Sequence, residues 1–236
     1  MIIYPAIDLY QGQAVRLFQG DYDQMTVHDL DPAAAAQRMK AQGATHLHVV
    51  DLEGAKAGKP VHTALIARIA KETGLFIQAG GGIRTMEDIS GLLAAGARRV
   101  ILGTKAAEDD AFLQEAARRF GGALAVGADL RDGKVAVRGW RDTLNLSCSQ
   151  LADRLTAYGI TTMIVTDIAR DGAMQGANIG LYKEMQATGL SIIASGGVSS
   201  LEDVRSLRAL NLAGAIIGKA YYTGAVDLGS AIREAL

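Results

Sequence analysis

Two aspartates stand at matching points of the chain, Asp8-Leu9 and Asp129-Leu130, at an offset of 121, each near the end of a short apolar run. A pair of carboxylates can divide a proton-transfer cycle, one giving and the other accepting, if their surroundings split their pKa values. A lone aspartate after a strand usually only caps the next turn; the symmetric pairing lifts these two above that reading. Thr166 closes another apolar run. If that run is a strand, Thr166 and Asp167 point to opposite faces, and the threonine hydroxyl can donate to a reacting oxygen. His48 shares a face with Val50 and not with Asp51, so it reaches the mouth of the fold or sits satisfied in the core, the core reading being slightly favoured. Asp171, in Ala169-Arg170-Asp171-Gly172, contacts substrate or makes a turn. Trp140, the single tryptophan, anchors its own loop or stacks on a substrate ring.

A second set of residues is suited to anions. QAGGGIRTMED (Gln78–Asp88) and IASGGVSSLED (Ile193–Asp203) each run from a strand into a glycine turn and a helix start, with a small polar residue three positions before an acid. Glycines allow close backbone approach, and the free N–H groups of a helix start favour negative charge. Gly81, Gly82 and Arg84 form one expected phosphate cradle with Gly103 and Thr104; Gly196 and Gly197 form the other with Gly218 and Lys219. Lys105 and Lys219 follow apolar runs where a Schiff-base lysine can stand, although a phosphate point charge or an ordinary surface role fits them better. Histidines 28, 46, 48 and 62 make no spaced ligand set with the acids, so no metal and no cofactor are expected. Cys148 reads as a small packed side chain.

The elements that must hold these residues repeat. Val100–Gly103 and Ala215–Gly218 share an offset of 115 with the glycine runs, and Gly43–Asp51 matches Gly159–Asp167 at 116. The period is far too long for a solenoid and marks a duplicated multi-element unit. Apolar runs at Ile2–Ile7, His46–Asp51, Leu75–Ala79, Arg99–Gly103, Leu124–Ala128, Thr162–Asp167, Ser191–Ala194 and Gly214–Gly218 alternate with segments of helical period. The latter are Pro32–Gln42, Val61–Thr73, Met86–Ala95, Asp109–Phe120, Ser147–Tyr158, Ile179–Ala187, Leu201–Ala209 and Val226–Ala235. The runs are continuous rather than alternating, which implies strands buried on both faces of a parallel sheet. Eight such units predict an α/β fold, a (β/α)8 TIM barrel made of two similar half-barrels, with residues 1–236 as one domain and the halves at approximately 1–120 and 121–236. Three connections, Leu9–Asp31, Leu130–Leu146 and Ile168–Asn178, are long enough to be binding loops or lids.

With 49% hydrophobic residues, 28 glycines and 3 prolines among 236 residues, a sizeable core and many tight turns are expected. A net charge of −1 without a basic run offers no footprint for nucleic acid or an anionic membrane. No signal-peptide pattern and no spanning segment are visible, so the chain is expected to be cytoplasmic. A small molecule carrying phosphate at both ends is the expected ligand, with no obligate protein partner.

The motifs PAIDLYQGQAVRLFQGDY (Pro5–Tyr22), HVVDLEGA (His48–Ala55), QAGGGIRT, GADLRDGKVAVRGW (Gly127–Trp140), TDIARDGAMQGAN (Thr166–Asn178), ASGGVSS and IIGKAYYTG (Ile216–Gly224) resemble those of the histidine-pathway isomerases acting on phosphoribosylformimino-5-aminoimidazole carboxamide ribotide. The resemblance runs end to end. It implies an Amadori rearrangement of a bisphosphorylated aminoaldose (ProFAR) to the aminoketose (PRFAR), with Asp8 as proton acceptor, Asp129 as donor, Thr166 assisting and Trp140 facing substrate. Two alternatives remain open. Some relatives also isomerise phosphoribosylanthranilate in tryptophan biosynthesis. The cyclase subunit of imidazole glycerol phosphate synthase shares the half-barrel repeat, but its first strand typically has cysteine before Leu-Asp where this chain has Ala6-Ile7-Asp8.

Overall fold

The computed structural model describes residues 1–18 and 20–236; Gln19, inside the first quoted motif, lies outside them. Eight parallel strands make the frame: β1 (Ile2–Tyr10), β2 (His46–Asp51), β3 (Phe76–Gly80), β4 (Arg99–Leu102), β5 (Leu124–Arg131), β6 (Thr162–Asp167), β7 (Ser191–Ser195) and β8 (Gly214–Ile217). Each pairs with its sequence neighbour, and β8 returns to β1 with Ile2 opposite Gly214. The sheet closes on itself as the expected (β/α)8 barrel.

Both strand faces are buried, which is why the runs read as continuously apolar. Inside, Tyr4, Ala6, Ala125, Ile164, Ile193 and Ile216 pack together with Ile101. Outside, Ile7, Leu9, Leu47, Val49, Ile77, Val100, Val126 and Val165 join a larger cluster with the helices. Burying each such large side chain is worth roughly 1.5–3 kcal/mol.

The helices are α1 (Pro32–Ala41), α2 (Thr63–Thr73), α3 (Met86–Ala94), α4 (Asp110–Phe120), α5 (Cys148–Ala157), α6 (Ile179–Gln186), α7 (Leu201–Ala209) and α8 (Leu228–Ala235). Their starts follow from local chemistry. Asp31 caps α1 ahead of a proline suited to the first helical position. Thr85 with Asp88, and Ser200 with Asp203, complete capping boxes on α3 and α7.

Two connections expected as loops contain antiparallel ribbons instead. After β1, Gln13–Phe18 folds back onto it and pairs with Asp21–Asp29; after β5, Lys134–Val137 folds back and pairs with Asp142–Ser147. Each reversal is a two-residue turn with positive φ at both positions, Gln11 (49°) and Gly12 (75°) in one, Asp132 (51°) and Gly133 (77°) in the other. This backbone matches the twist of a hairpin, and glycine adopts it without penalty. Three short helices, Leu52–Ala57, Thr104–Glu108 and Lys219–Tyr222, also stand in connections at the C-terminal ends of strands. No helix among the described residues is long and apolar enough to cross a membrane.

Candidate active site

A cavity of about 280 Å³ opens at the C-terminal mouth of the barrel, and Asp8, His48, Asp129, Trp140, Thr166 and Asp171 all line it. Gly81, Gly82, Arg84, Gly103 and Thr104 line it as well. The remaining anion candidates, Gly196, Gly197, Gly218 and Lys219, border a recess of about 20 Å³. Arg16, Asp171, Ser195 and Ile216 line both spaces and so join them.

Asp8 and Asp129 occupy equivalent strand ends with equivalent ribbons alongside, Asp8 opposite Val15 and Asp129 opposite Ala136. Their partners differ. Arg16, the next residue along the first ribbon, donates through Nη1 to Asp8 Oδ2 and through Nη2 to Asp171 Oδ1, each at 3.0 Å. The corresponding place on the second ribbon is Val137, and Asp129 instead accepts from the indole Nε1 of Trp140 at 2.7 Å. Thr166, its register neighbour on β6, bonds the same carboxyl. Burial pushes both aspartates above the ordinary carboxylate range. Asp171 adds to the rise at both; the Arg16 charge opposes it at Asp8, and the neutral donors Trp140 and Thr166 oppose it at Asp129. Asp8 therefore has a counter-cation that favours its ionised form, and Asp129 has none among the described residues.

His48 stands at the cavity wall rather than wholly in the core. Its Nδ1 meets Gln78 Nε2 at 3.0 Å, and burial, with Arg16 nearby, drives its pKa down to about 3. Thr166 faces inward as expected, while Asp167 turns away and ties its loop through Asn178 Nδ2 at 2.6 Å and the Ala169 N–H at 3.1 Å. Asp51, the matching acid on β2, likewise accepts from the N–H groups of Gly54, Val61 and His62. Trp140 is both anchor and cavity wall: a Cβ placed on Gly20 of the first ribbon would lie 2.7 Å from its ring, so the two ribbons meet at this side chain.

Ahead of the two helices α3 and α7 the backbone is engaged within the fold: Asp88 Oδ2 accepts from the N–H groups of Arg84 and Thr85, and Asp203 Oδ2 from those of Ser199 and Ser200. At the cavity and the recess, the short helices Thr104–Glu108 and Lys219–Tyr222 start without a side-chain cap, preceded by Gly103 and Gly218. The paired glycines serve the fold itself, because a Cβ on Gly82 would lie 2.3 Å from the Gly54 carbonyl oxygen, and one on Gly197 2.3 Å from that of Gly176. Lys105 pairs with Asp109 at 2.7 Å, and Lys219 donates to the Gly172 carbonyl at 2.8 Å beneath the ring of Phe18.

Arg16 is the residue of this site that sequence reasoning missed; its Nε is buried without a hydrogen-bond partner among the described residues. Gln11-Gly12, a two-residue turn between β-like runs, carried the signal that would have folded Arg16 back onto Asp8. Among the described residues no three His, Cys, Asp or Glu side chains come together as a metal-ligand group.

Fold and cavity define a (β/α)8 barrel that receives a small molecule at its C-terminal mouth, with two opposed carboxyl groups in unlike settings. Residues 2–227 match the family described as "Histidine biosynthesis protein", and the chain belongs to that family. It is 47% identical to the 1-(5-phosphoribosyl)-5-((5-phosphoribosylamino)methylideneamino) imidazole-4-carboxamide isomerase of Desulfitobacterium hafniense, over 99% of this chain and 96% of the relative. Proteins of the same name from Brevibacillus brevis and Dinoroseobacter shibae are each 49% identical, covering 99% and 98% of this chain and 95% and 98% of their own lengths.

Proposed function

We propose that this chain catalyses the reaction its relatives are named for, the Amadori rearrangement of a bisphosphorylated aminoaldose to its aminoketose in histidine biosynthesis. The observation that carries the mechanism is the unequal pairing of the two carboxyl groups. Asp129, raised by burial and facing only neutral donors, is suited to be protonated and to give that proton to the ring oxygen as the ring C–O bond breaks. The nitrogen lone pair forms the C=N bond of a substrate Schiff base. Asp8, ionised beside Arg16, then takes the proton from the adjacent hydroxyl-bearing carbon, leaving an enolamine that relaxes to the ketose. Atoms balance within the substrate, and no redox partner is consumed. Thr166 supports Asp129, His48 and Asp171 contact the substrate, and Trp140 covers it while releasing or retaining the Asp129 bond.

The two phosphates are assigned to the uncapped helix starts at Thr104 and Lys219. One site comprises Gly81, Gly82, Arg84, Gly103 and Thr104, the other Gly196, Gly197, Gly218 and Lys219. The second recess, at about 20 Å³, has room for about one water, so phosphate entry there requires the Gly172–Met174 turn to move. The matching ribbons, glycine turns and strand-end acids support residues 1–236 as one domain of two half-barrels, about 1–120 and 121–236.

The three relatives reported above carry neither alternative name, that of a phosphoribosylanthranilate isomerase or of a cyclase subunit. The test is turnover of the bisphosphorylated aminoaldose by the purified chain alone, with phosphoribosylanthranilate in parallel. Conversion of the first and at most weak conversion of the second are expected. No conversion of the first, or equal rates on both, contradicts the reading.

A further inference from the structure

His48, Gln78 and Arg99 lie in one register row across three neighbouring strands, with His48 opposite Gln78 and Gln78 opposite Arg99. The row begins at the cavity and runs toward the N-terminal end of the barrel. Arg99 Nη1 donates to Gln78 Oε1 at 3.3 Å and to the Tyr4 hydroxyl at 3.4 Å. Gln78 is fully buried.

This row has a fixed direction, because a guanidinium has only donors. The Gln78 oxygen must face Arg99, since the flipped amide would set NH₂ against a cation. The Gln78 amide N–H is then left to donate to His48 Nδ1, 3.0 Å away. A nitrogen that accepts carries no proton, so in neutral imidazole the proton sits on Nε2. Nε2 has no protein partner among the described residues, and the ring lines the cavity.

We propose that Gln78 and Arg99 are positioning residues that hold His48 as a neutral Nε2–H donor, which meets an uncharged acceptor oxygen of the substrate, a sugar hydroxyl or a carboxamide carbonyl. His48 is thereby excluded as a base, which leaves proton abstraction to the carboxylates. Burial and the Arg16 charge on the first ribbon both oppose an imidazolium, and Asp8 is engaged by Arg16. The second half has no such row: Ile164, Ile193 and Gly214 hold the repeat-equivalent places.

The ligand part of this inference rests on the isomerase reading; the tautomer does not. Nitrogen-15 spectra of the histidine-labelled full chain, with His48 assigned by the signals lost in His48→Gln, read the tautomer in the wild type without any substrate. The expected result is an unprotonated Nδ1 and a protonated Nε2, unchanged between about pH 5 and 8. A protonated Nδ1, or titration within that range, overturns the proposal even if the enzyme turns over normally. Gln78→Glu, which can only accept when ionised, should transfer a proton to Nδ1; an unprotonated Nδ1 in that variant shows that position 78 does not set the tautomer. Gln78→Met should mix the tautomers and raise KM roughly tenfold with kcat nearly kept, the loss of about one hydrogen bond. An unchanged KM overturns the role toward substrate.

Discussion

Asp8 and Asp129 hold the same place in the two halves of the barrel, yet one faces a guanidinium and the other an indole. The ribbons beside them begin with equivalent turns and equivalent register. The difference lies in single positions, Arg16 against Val137 at the mouth, and the polar row of His48, Gln78 and Arg99 against Ile164, Ile193 and Gly214 below it. Duplicated scaffolds thus place two carboxyl groups symmetrically, and a few unlike neighbours give one a cationic partner and the other neutral donors.

The strongest way to break this comparison is to remove each carboxylate. Asp8→Asn and Asp129→Asn should each lose about 10²–10⁴-fold in kcat with KM little changed, and steady-state kinetics of the double variant should show less than the product of the two losses. A variant retaining near-normal turnover removes its residue from the cycle.

Arg16→Met attacks the asymmetry itself. It strands Asp8 and Asp171 in a buried site, a loss of roughly 3–5 kcal/mol by analogy with other buried pairs, readable by urea unfolding. Asp8, already raised by burial, should rise further without the guanidinium. Since the base must be ionised, the acid limb of kcat/KM should move to higher pH. A limb that stays in place disconnects Arg16 from the base.

Gly82→Ala and Gly197→Ala sharpen the comparison where the halves are alike. Each methyl meets a backbone carbonyl at 2.3 Å, so each should cost about 1–3 kcal/mol in stability, and equally. A loss confined to substrate binding, with stability kept, would show that these glycines serve the phosphate sites and not the fold.

The smallest effect concerns stability and pH. A carboxyl whose folded pKa is raised stabilises the fold below its unfolded pKa and loses that contribution as pH rises through the folded value. At neutral pH Asp129→Asn should therefore raise Tm, by about 2–4 °C for each kcal/mol recovered. Asp8→Asn should not, because it leaves Arg16 one partner short. Melting curves at acid and neutral pH separate the two, and an equal gain in both would erase the distinction.

The barrel was readable because eight continuous apolar runs and eight amphipathic segments leave few other folds, and the capping residues Thr85 and Ser200 marked helix starts. The ribbons were not, because DYDQMTVHD (Asp21–Asp29) is largely exposed and too polar to resemble a strand; pairing geometry, not burial, makes it one. Arg16 was hidden for the same reason, since only the reversal at Gln11-Gly12 brings it back to Asp8. Strand alternation set Thr166 and Asp167 on opposite faces, and the family resemblance singled out Thr166 as the inward one. The depth of His48 did not, because alternation gives a face but not whether a cavity reaches it.

The division of labour between the two acids is tested most directly with substrate deuterated at the carbon that loses its proton. In Asp8→Asn, washout of that deuterium into solvent should fall by about the same 10²–10⁴-fold as turnover. In Asp129→Asn it is ring opening that fails, so the fraction of substrate that opens without the enzyme should still lose its deuterium through Asp8. Wild-type washout from Asp8→Asn, or its loss only in Asp129→Asn, would contradict the assignment and exchange the two roles.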